Sequence, residues 1–148
     1  MPYGYNGRIL HVDLSSHGWR VEEPDQRWYR LYMGGTGFIA YYLLKELSPG
    51  SDPLSPDNVL IFACSAVTGA PISGFNRYSV GAKSPLTGAF AETEAGGYWA
   101  PELKFAGFDA LVIRGKSRNP VYLLIRDGVC EIRDAGDLWG LDNFATLK

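Results

Sequence analysis

The sequence has few residues of the kinds that bind metals or act as catalytic nucleophiles. Among its 148 residues there are only two cysteines, Cys64 and Cys130, and two histidines, His11 and His17. Neither cysteine has a second cysteine or a histidine at metal-ligand spacing, and both lie in apolar or strand-like runs, so we predict two buried thiols. His11 alternates within a predicted strand and His17 lies in a predicted hairpin turn. We therefore assign no zinc site and no catalytic residue.

The chain also lacks an excess of positive charge and a long apolar run. Its 14 Lys and Arg against 16 Asp and Glu give a formal net charge of -2, which leaves no basic surplus to neutralise nucleic acid phosphates. The run NVLIFACSAV, residues 58–67, is far shorter than the roughly 20 apolar residues of a membrane-spanning helix. The start MPYGYNGR has no apolar signal-peptide core. We predict a soluble cytoplasmic protein that binds neither nucleic acid nor membranes.

Glycine and aromatic residues, in contrast, are abundant. The chain contains 18 Gly, nine Tyr and four Trp, and 46% of its residues are hydrophobic. This composition is typical of a β-rich domain with many tight turns, and the length corresponds to about one domain with a core of its own. We found no internal repeat and no low-complexity segment.

Hydrophobic periodicity predicts an α+β domain with a few short helices. Residues 7–24 alternate around a turn, which indicates a β-hairpin. Asp25 can cap a helix that ends at Gly34 and Gly35, and a strongly apolar helix follows as far as Pro49 and Gly50. Further strands are predicted at 59–67, 77–85, 88–95, 110–117, 121–128 and 130–135, with a helix near Pro101 and a hairpin turn at Asp127 and Gly128.

The end of the chain predicts a helix that is not completed. Asp142 can cap it, but no C-terminal cap, terminal glycine or polar tail follows before Lys148. Because a helix of about two turns is marginal alone, we expect the domain, residues 1–148, to be incomplete at its C-terminal end.

The segment GGTG, residues 34–37, allows two interpretations. Its amides and the start of the following helix could hold a phosphate, or its glycines could end one helix and turn the chain into the next. Since the full dinucleotide-binding spacing and the Lys-Ser/Thr of a nucleotide-binding loop are missing, the pattern favours a turn.

The segment NRYSVGAKSPLTGAFAETEAGG, residues 76–97, carries the strongest candidate site. Arg77 could clamp a phosphate or a pterin-like heterocycle, or it could form a surface salt bridge with Glu92 or Glu94. The two glutamates alternate on one predicted strand face, which suits a metal, a general base or a solvated surface. The pair Gly96 and Gly97 indicates close backbone approach or a positive φ. The residues alone leave these alternatives open.

Seven segments spread over nearly the whole chain share the order and spacing of one family. They are GRILHVDLSS (7–16), GGTGFIAYYLL (34–44), PLSPDNVLIFA (53–63), TGAPISGFNRYSV (68–80), KSPLTGAF (83–90), GGYWAPELKFAGFDALVIRGKS (96–117) and VYLLIRDGVCEIRDA (121–135), the last followed by DLWG (137–140). Together they resemble the N-terminal domain of tungsten-containing aldehyde:ferredoxin oxidoreductases.

The resemblance implies a domain whose two sheets form a platform for a bis-molybdopterin cofactor that binds tungsten or molybdenum, with a Mg ion linking the pterin phosphates. It implies that Arg77 contacts a pterin and that Glu94, Ala95 and Gly96 lie at the cofactor. Glu94 stands where the family commonly has Asn with its backbone carbonyl directed to Mg. A carboxylate there would alter the phosphate environment.

The resemblance also implies what lies elsewhere in the enzyme. A second pterin-binding segment, a [4Fe-4S] cluster and proton-handling groups belong to later domains, so residues 1–148 alone should be inactive. The complete enzyme would oxidise an aldehyde to a carboxylic acid and pass electrons to ferredoxin, as a homo-oligomer or a multi-subunit complex. Two alternatives stay open: the tungsten subunit of a benzoyl-CoA-reducing complex, and a non-catalytic domain for pterin storage, insertion or assembly.

Overall fold

The computed structural model describes residues 4–147 and contains eight strands and four short α-helices within that range. Residues 1–3 and 148 of the predicted domain lie outside it. In chain order the elements are β1 (Ile9–Asp13), β2 (Gly18–Glu22), α1 (Gln26–Tyr32), α2 (Thr36–Glu46), β3 (Val59–Cys64), β4 (Tyr78–Lys83), β5 (Phe90–Ala95), α3 (Trp99–Phe105), β6 (Ala110–Arg114), β7 (Val121–Arg126), β8 (Val129–Asp134), a 3-10 turn (Gly136–Leu138) and α4 (Asn143–Thr146).

Two sheets form the β structure, as the resemblance implied. The first has six strands in the order β2-β1-β6-β3-β4-β5, and the second is the hairpin β7-β8. Within the larger sheet only β1 and β6 run parallel, and each other neighbouring pair is antiparallel. The α+β prediction is therefore confirmed.

Helices α1 and α2 cover one face of the six-stranded sheet. The buried cluster on this face joins side chains of both helices to every second residue of the central strands, because side chains alternate between the faces of a strand. Its members include Tyr29, Phe38, Ile39, Tyr42, Ile61 and Val112.

Helix α3 and the β7-β8 hairpin cover the opposite face. The second buried cluster combines alternate residues of β1, β3 and β6 with Leu103 of α3 and Cys130 of β8. Cys64 and Cys130 are both buried free thiols, as predicted. Strand β1 is therefore buried on both faces, with Ile9 under the helices and Leu10 facing the hairpin.

Local sequence signals set several element ends. The side chain of Asp25 accepts a hydrogen bond from the Trp28 amide at the start of α1, and that of Asp142 accepts one from the Ala145 amide at the start of α4. Asp127 and Gly128 both have positive φ, 52° and 79°, in the two-residue turn between β7 and β8. These caps and this turn confirm the predictions made from the sequence.

No helix within residues 4–147 has the length and apolar character needed to cross a bilayer.

Candidate functional site

A cleft of about 540 Å³ lies on the helix-covered face, where the loop between α1 and α2 meets the ends of β4 and β5. It brings together two segments that the sequence analysis treated separately, GGTG at 34–37 and the stretch beginning at Asn76. Its lining includes Gly34, Gly35, Thr36, Arg77, Ser79 and Glu94.

Strand register builds the floor of this cleft. Ala63 of β3 pairs with Ser79 of β4, and Ser79 pairs with Glu94 of β5. Residues directly opposite in neighbouring strands place their side chains on the same face. Arg77, two residues before Ser79, continues the same alternation just outside the strand. The sheet therefore presents Arg77, Ser79 and Glu94 to one side.

Arg77 and Glu94 form an ion pair at the mouth of the cleft. The Arg77 Nη2 atom lies 3.0 Å from Glu94 Oε2, and the two side chains are 60% and 58% exposed. Of the two glutamates considered as partners, the arginine contacts Glu94, while Glu92 accepts a 2.6 Å hydrogen bond from Thr36 Oγ1. Both charged groups remain accessible to a ligand.

The α1-α2 loop forms the opposite wall. Met33, Gly34 and Gly35 have φ values of 57°, 110° and 51°, which reverse the chain between the two helices. A Cβ at Gly34 would lie 2.5 Å from the Cys64 carbonyl oxygen, so the loop can pack against β3 only with glycine there. The predicted turn is confirmed, and the same loop lines the cleft.

Two polar groups inside the cleft lack partners among residues 4–147. Ser79 is only 5% exposed, yet its hydroxyl enters no hydrogen bond in that range. The backbone amide of Thr36, the first residue of α2, is also without an acceptor there, whereas the amides of Gly34 and Gly35 donate to Tyr32 and Cys64 carbonyls. Thr36 is exposed and the Ser79 hydroxyl oxygen is not fully buried, so both donors can be reached by water or by a ligand in the cleft.

A buried threonine holds the Arg77 backbone in place. Thr68 is 5% exposed, and its Oγ1 donates to the Arg77 carbonyl at 2.9 Å and accepts from the Ser65 amide at 3.0 Å. Sequence reasoning missed Thr36, Thr68 and Ser79. The alternation of Ser79 with Arg77 was the one available signal.

The remaining predicted residues lie at the end of β5 and just after it. A Cβ at Gly96 would lie 3.6 Å from Arg77 Cδ, so this glycine packs beside the arginine. Gly97 has a φ of 102°, as its pairing with Gly96 suggested. Ala95 pairs with Tyr78 and therefore faces the other side of the sheet from Glu94. Arg77, Glu94 and Gly96 come together, and Ala95 contributes main chain between the last two.

The histidines and cysteines lie outside the cleft lining. Burial and, to a smaller extent, the positive charge of Arg20 lower the pKa of His11 to about 4. Glu22 opposes this shift, because its Oε2 lies 2.7 Å from His11 Nε2 and favours the protonated imidazole. Burial raises the pKa of the Cys64 thiol to about 12. Within residues 4–147 no three His, Cys, Asp or Glu side chains are grouped so that they could hold a metal ion.

Comparison with known families identifies relatives of this domain. A family model described as aldehyde ferredoxin oxidoreductase, N-terminal domain, matches residues 9–148. The tungsten-containing aldehyde ferredoxin oxidoreductases of Pyrococcus furiosus and Pyrococcus horikoshii are 47% and 46% identical to the chain over 138 residues. Each match covers 93% of this chain but only 23% of the relative, so the chain spans less than a quarter of the length of these curated relatives.

Among solved structures, the active-site complex BamBC of benzoyl coenzyme A reductase in complex with 1,5 dienoyl-CoA has the same fold. Its TM-score is 0.94 at 42% identity, over 99% of this chain and 22% of that chain.

Proposed function

The chain belongs to the aldehyde ferredoxin oxidoreductase family, as its seven segments predicted, and we propose that it binds a tungsten bis-pterin cofactor as the N-terminal part of a larger oxidoreductase. In the proposed reaction the complete enzyme oxidises an aldehyde to a carboxylic acid and passes the electrons to ferredoxin. One observation carries the proposal: Arg77 and Glu94 lie together at the mouth of a cleft, with Gly96 beside Arg77.

The groups in the cleft fit a flat, anionic cofactor that is rich in hydrogen-bond acceptors. The Arg77 guanidinium, the Ser79 hydroxyl and the Thr36 amide are all donors, and the last two have no acceptor among residues 4–147. Pterin rings and phosphates carry many acceptor atoms and negative charge, which this set would satisfy. Gly35 and Gly96 keep the adjoining surface free of side chains.

Glu94 fits the proposed Mg ion that links the pterin phosphates. Mg binds through oxygen ligands, and the Glu94 carboxylate is half-exposed at the cleft mouth. Where the family commonly has Asn, this chain can offer a side-chain oxygen as well as the backbone carbonyl. The Arg77 ion pair offsets the extra negative charge when no cation is bound.

In this proposal the chain binds and orients, and the cofactor supplies the redox chemistry. When bound, the tungsten centre supplies a two-electron oxidation, in which an aldehyde and one water become a carboxylic acid, two protons and two electrons. Arg77, Ser79 and the Thr36 amide would hold the cofactor, since all three line the cleft and are hydrogen-bond donors. Cys64 and Cys130 are buried separately and cannot supply the four thiolates of a [4Fe-4S] cluster, so we assign that cluster to another part of the enzyme.

Exposed aromatic side chains support assembly with further domains or subunits. Phe105, Trp139 and Phe144 are 68%, 76% and 82% exposed, and large exposed aromatic side chains mark surface that another part of a protein can cover. We propose that the remaining domains of the enzyme cover this surface, and that the enzyme works in the cytoplasm, where free thiols such as Cys64 stay reduced.

A second candidate reaction is the reduction of an aromatic ring in a CoA thioester. The observation that favours it is the 0.94 TM-score and 42% identity to the benzoyl coenzyme A reductase complex. Arg77 and Glu94 would hold the cofactor in the same way in both reactions, so the cleft does not select between them.

Metal and pterin analysis of the complete protein tests the proposal. We expect tungsten and pterin to copurify with it in fixed proportion, and an aldehyde to reduce a viologen dye in its presence. A protein that contains neither tungsten nor molybdenum would refute the cofactor assignment. Dienoyl-CoA formation from benzoyl-CoA without aldehyde oxidation would instead establish the second candidate.

A further inference from the structure

We propose that a second pocket, at the opposite end of the helix-covered face from the cleft, binds a hydrogen phosphate ion through Arg20, Arg114 and His11. The pocket has a volume of about 300 Å³, and its lining includes these three residues and Asp13. In the proposed complex the two guanidinium groups donate hydrogen bonds to phosphate oxygens, and the His11 Nδ1 atom accepts one from the phosphate O–H group. This site is separate from the proposed cofactor cleft and does not depend on it.

Strand register separates the pocket from the cleft. Arg114, at the end of β6, pairs with Val59 at the start of β3, whereas Ala63, near the other end of β3, lines the cleft. Helix α2 runs between the two sites: Thr36 at its start lines the cleft, and Glu46 at its end has its Oε2 atom 3.0 Å from Arg114 Nη2. The pocket and the cleft share no lining residue.

His11 supplies the first observation. Its side chain is 3% exposed and lines the pocket, and its Nδ1 atom has no hydrogen-bond partner among residues 4–147. The Nε2 atom lies 2.7 Å from Glu22 Oε2, outside the angular range of a hydrogen bond but close enough for the carboxylate to favour a proton on Nε2. Because burial lowers the pKa of His11 to about 4, the ring is neutral at pH 7 and Nδ1 carries a lone pair. A buried acceptor of this kind favours a ligand that offers a hydrogen.

Arg114 supplies the second observation. Its Nη2 atom is buried, and its contact with Glu46 lacks the direction of a hydrogen bond, so this donor also has no partner among residues 4–147. Arg114 pairs in register with Asp13, and Arg20 pairs with His11, so all four side chains lie on the same side of the sheet. Both guanidinium groups are near enough to His11 to lower its pKa through their positive charge. The pocket therefore combines two cations with one neutral acceptor.

Contacts from α2 keep Glu22 on the Nε2 side of the His11 ring. The Tyr42 hydroxyl donates a 3.2 Å hydrogen bond to Glu22 Oε2, and Lys45 Nζ lies 3.4 Å from Glu22 Oε1. Arg20 is 58% exposed, and its Nη1 atom lies 4.0 Å from the same carboxylate, so its guanidinium stays available to a ligand. Nδ1 is thus the ring atom left for a ligand in the pocket.

The combination of donors and acceptors selects a protonated oxoanion. Two guanidinium groups favour an anion with several oxygen atoms and disfavour a metal ion. The His11 lone pair and the Asp13 carboxylate would repel sulfate, which has no hydrogen to donate, whereas phosphate at pH 7 carries an O–H group. Asp13 Oδ1 accepts hydrogen bonds from the Ser15 and Ser16 amides at 2.8 and 3.3 Å, which hold this carboxylate in the turn after β1. His11 is therefore the buried acceptor for the phosphate hydrogen.

Calorimetric titration of the complete holoprotein with phosphate and with sulfate at pH 7 tests the site. We expect phosphate to bind roughly tenfold or more tightly than sulfate, because sulfate leaves the His11 lone pair facing an anionic oxygen. Absence of phosphate binding, or equal affinities for the two anions, would refute the proposal.

The substitution Arg20→Met tests the exposed cation of the pocket. The variant should fold, since Arg20 is more than half exposed, and should bind phosphate roughly tenfold to hundredfold more weakly, the loss expected for one hydrogen bond between charged groups. Arg118→Met is the matched control, because Arg118 is exposed and lies outside the pocket lining. Equal phosphate affinities in the two variants would place the bound ion elsewhere and overturn the assignment.

The substitution His11→Gln tests the acceptor that distinguishes the two anions. A glutamine amide carries an NH₂ donor as well as a carbonyl acceptor, so it can bond to either anion. We expect the preference for phosphate over sulfate to fall roughly tenfold, to near equality. If His11→Gln keeps the wild-type preference, His11 is not the group that recognises the phosphate hydrogen.

Discussion

The guanidinium of Arg77 lies 3.0 Å from the carboxylate of Glu94, across the ends of two neighbouring strands, and each side chain is more than half exposed. Exposed ion pairs contribute little to folding because water and salt screen them. The pair is therefore better suited to ligand binding than to holding β4 and β5 together, which the strand register already does.

We predict that Arg77→Ala changes the free energy of unfolding by less than about 1 kcal/mol and lowers the pterin and tungsten content of the complete protein. Arg133→Ala is a matched control, because Arg133 forms a comparable exposed pair with Glu131 on β8 at 2.7 Å. Urea unfolding and metal analysis measure the two effects. Unchanged cofactor content in Arg77→Ala would remove this arginine from the site.

The buried ion pair between Lys104 and Asp109 should, in contrast, be essential for stability. Lys104 Nζ lies 2.6 Å from Asp109 Oδ1, with the side chains 9% and 1% exposed. The same carboxylate accepts from the Gly7 amide and the Tyr29 hydroxyl, and so joins the N-terminal segment to α1 and α3. We expect Lys104→Met to cost about 3 to 5 kcal/mol in urea unfolding, since it leaves a buried charge uncompensated.

Arg126→Met is the control for the lysine substitution. Arg126 pairs with Asp127 at 3.6 Å, and both side chains are largely exposed. Its loss should leave the unfolding midpoint close to that of the wild type. A Lys104→Met variant as stable as this control would contradict the importance of the buried pair.

His11 should make the protein less stable in weak acid. Burial lowers its pKa from 6.5 to about 4, so between these pH values the unfolded chain binds one proton more than the folded chain. Stability is therefore lost as the pH falls from about 6.5 to about 4, by about 3 kcal/mol in all. The pKa of Glu22 is also lowered, since Lys45 and His11 outweigh its burial, and its contribution is lost at still lower pH.

Comparing the pH dependence of unfolding for the wild type and His11→Gln measures this contribution. Glutamine cannot titrate, so the difference between the two curves should shrink from pH 6.5 towards pH 4. A constant difference across this range would show that His11 does not titrate as its burial requires.

Gly81 should be intolerant of any side chain. A Cβ at this position of β4 would overlap Ile39 Cγ2 of the buried face of α2 and lie 3.0 Å from the Ala91 carbonyl oxygen. We expect Gly81→Ala to cost about 1 to 3 kcal/mol by forcing α2 away from the sheet. Gly18→Ala is the control, because its Cβ would meet only the flexible Ser16 hydroxyl, at 3.3 Å. Equal losses in the two variants would contradict this packing argument.

Sequence patterns predicted most of the elements because their signals are local. Asp25 and Asp142 cap helices by bonding amides three residues later, and Asp127 with Gly128 forms a turn by its own backbone preference. Some strand ends were placed wrongly: β3 stops at Cys64 and not at Val67, and β6 stops at Arg114 and not at Ser117. Ser65 forms an isolated β-bridge with Gly34, and its amide donates a hydrogen bond to Thr68 Oγ1. Both partners lie outside the apolar run at 59–67, so the run alone could not predict where β3 ends.

The family motifs placed Arg77, Glu94 and Gly96 in one site, but they could not show what completes it. Ser79 carries no motif signal, since a serine in a strand is as often solvated as buried. Thr36 offers its backbone amide, and a backbone donor has no sequence signature. Both became candidates only when their places in the cleft lining were seen.

The sequence by itself determined most of the elements and the family, and it indicated the arginine of the proposed site, because caps, turns, alternation and motif order depend on neighbouring residues. Tertiary structure alone decided that β1 pairs in parallel with β6, about 100 residues away, and that the GGTG loop lies against Ser79. Such contacts depend on how whole elements pack across the sheet, and packing joins residues whose spacing along the chain carries no information about their distance in space.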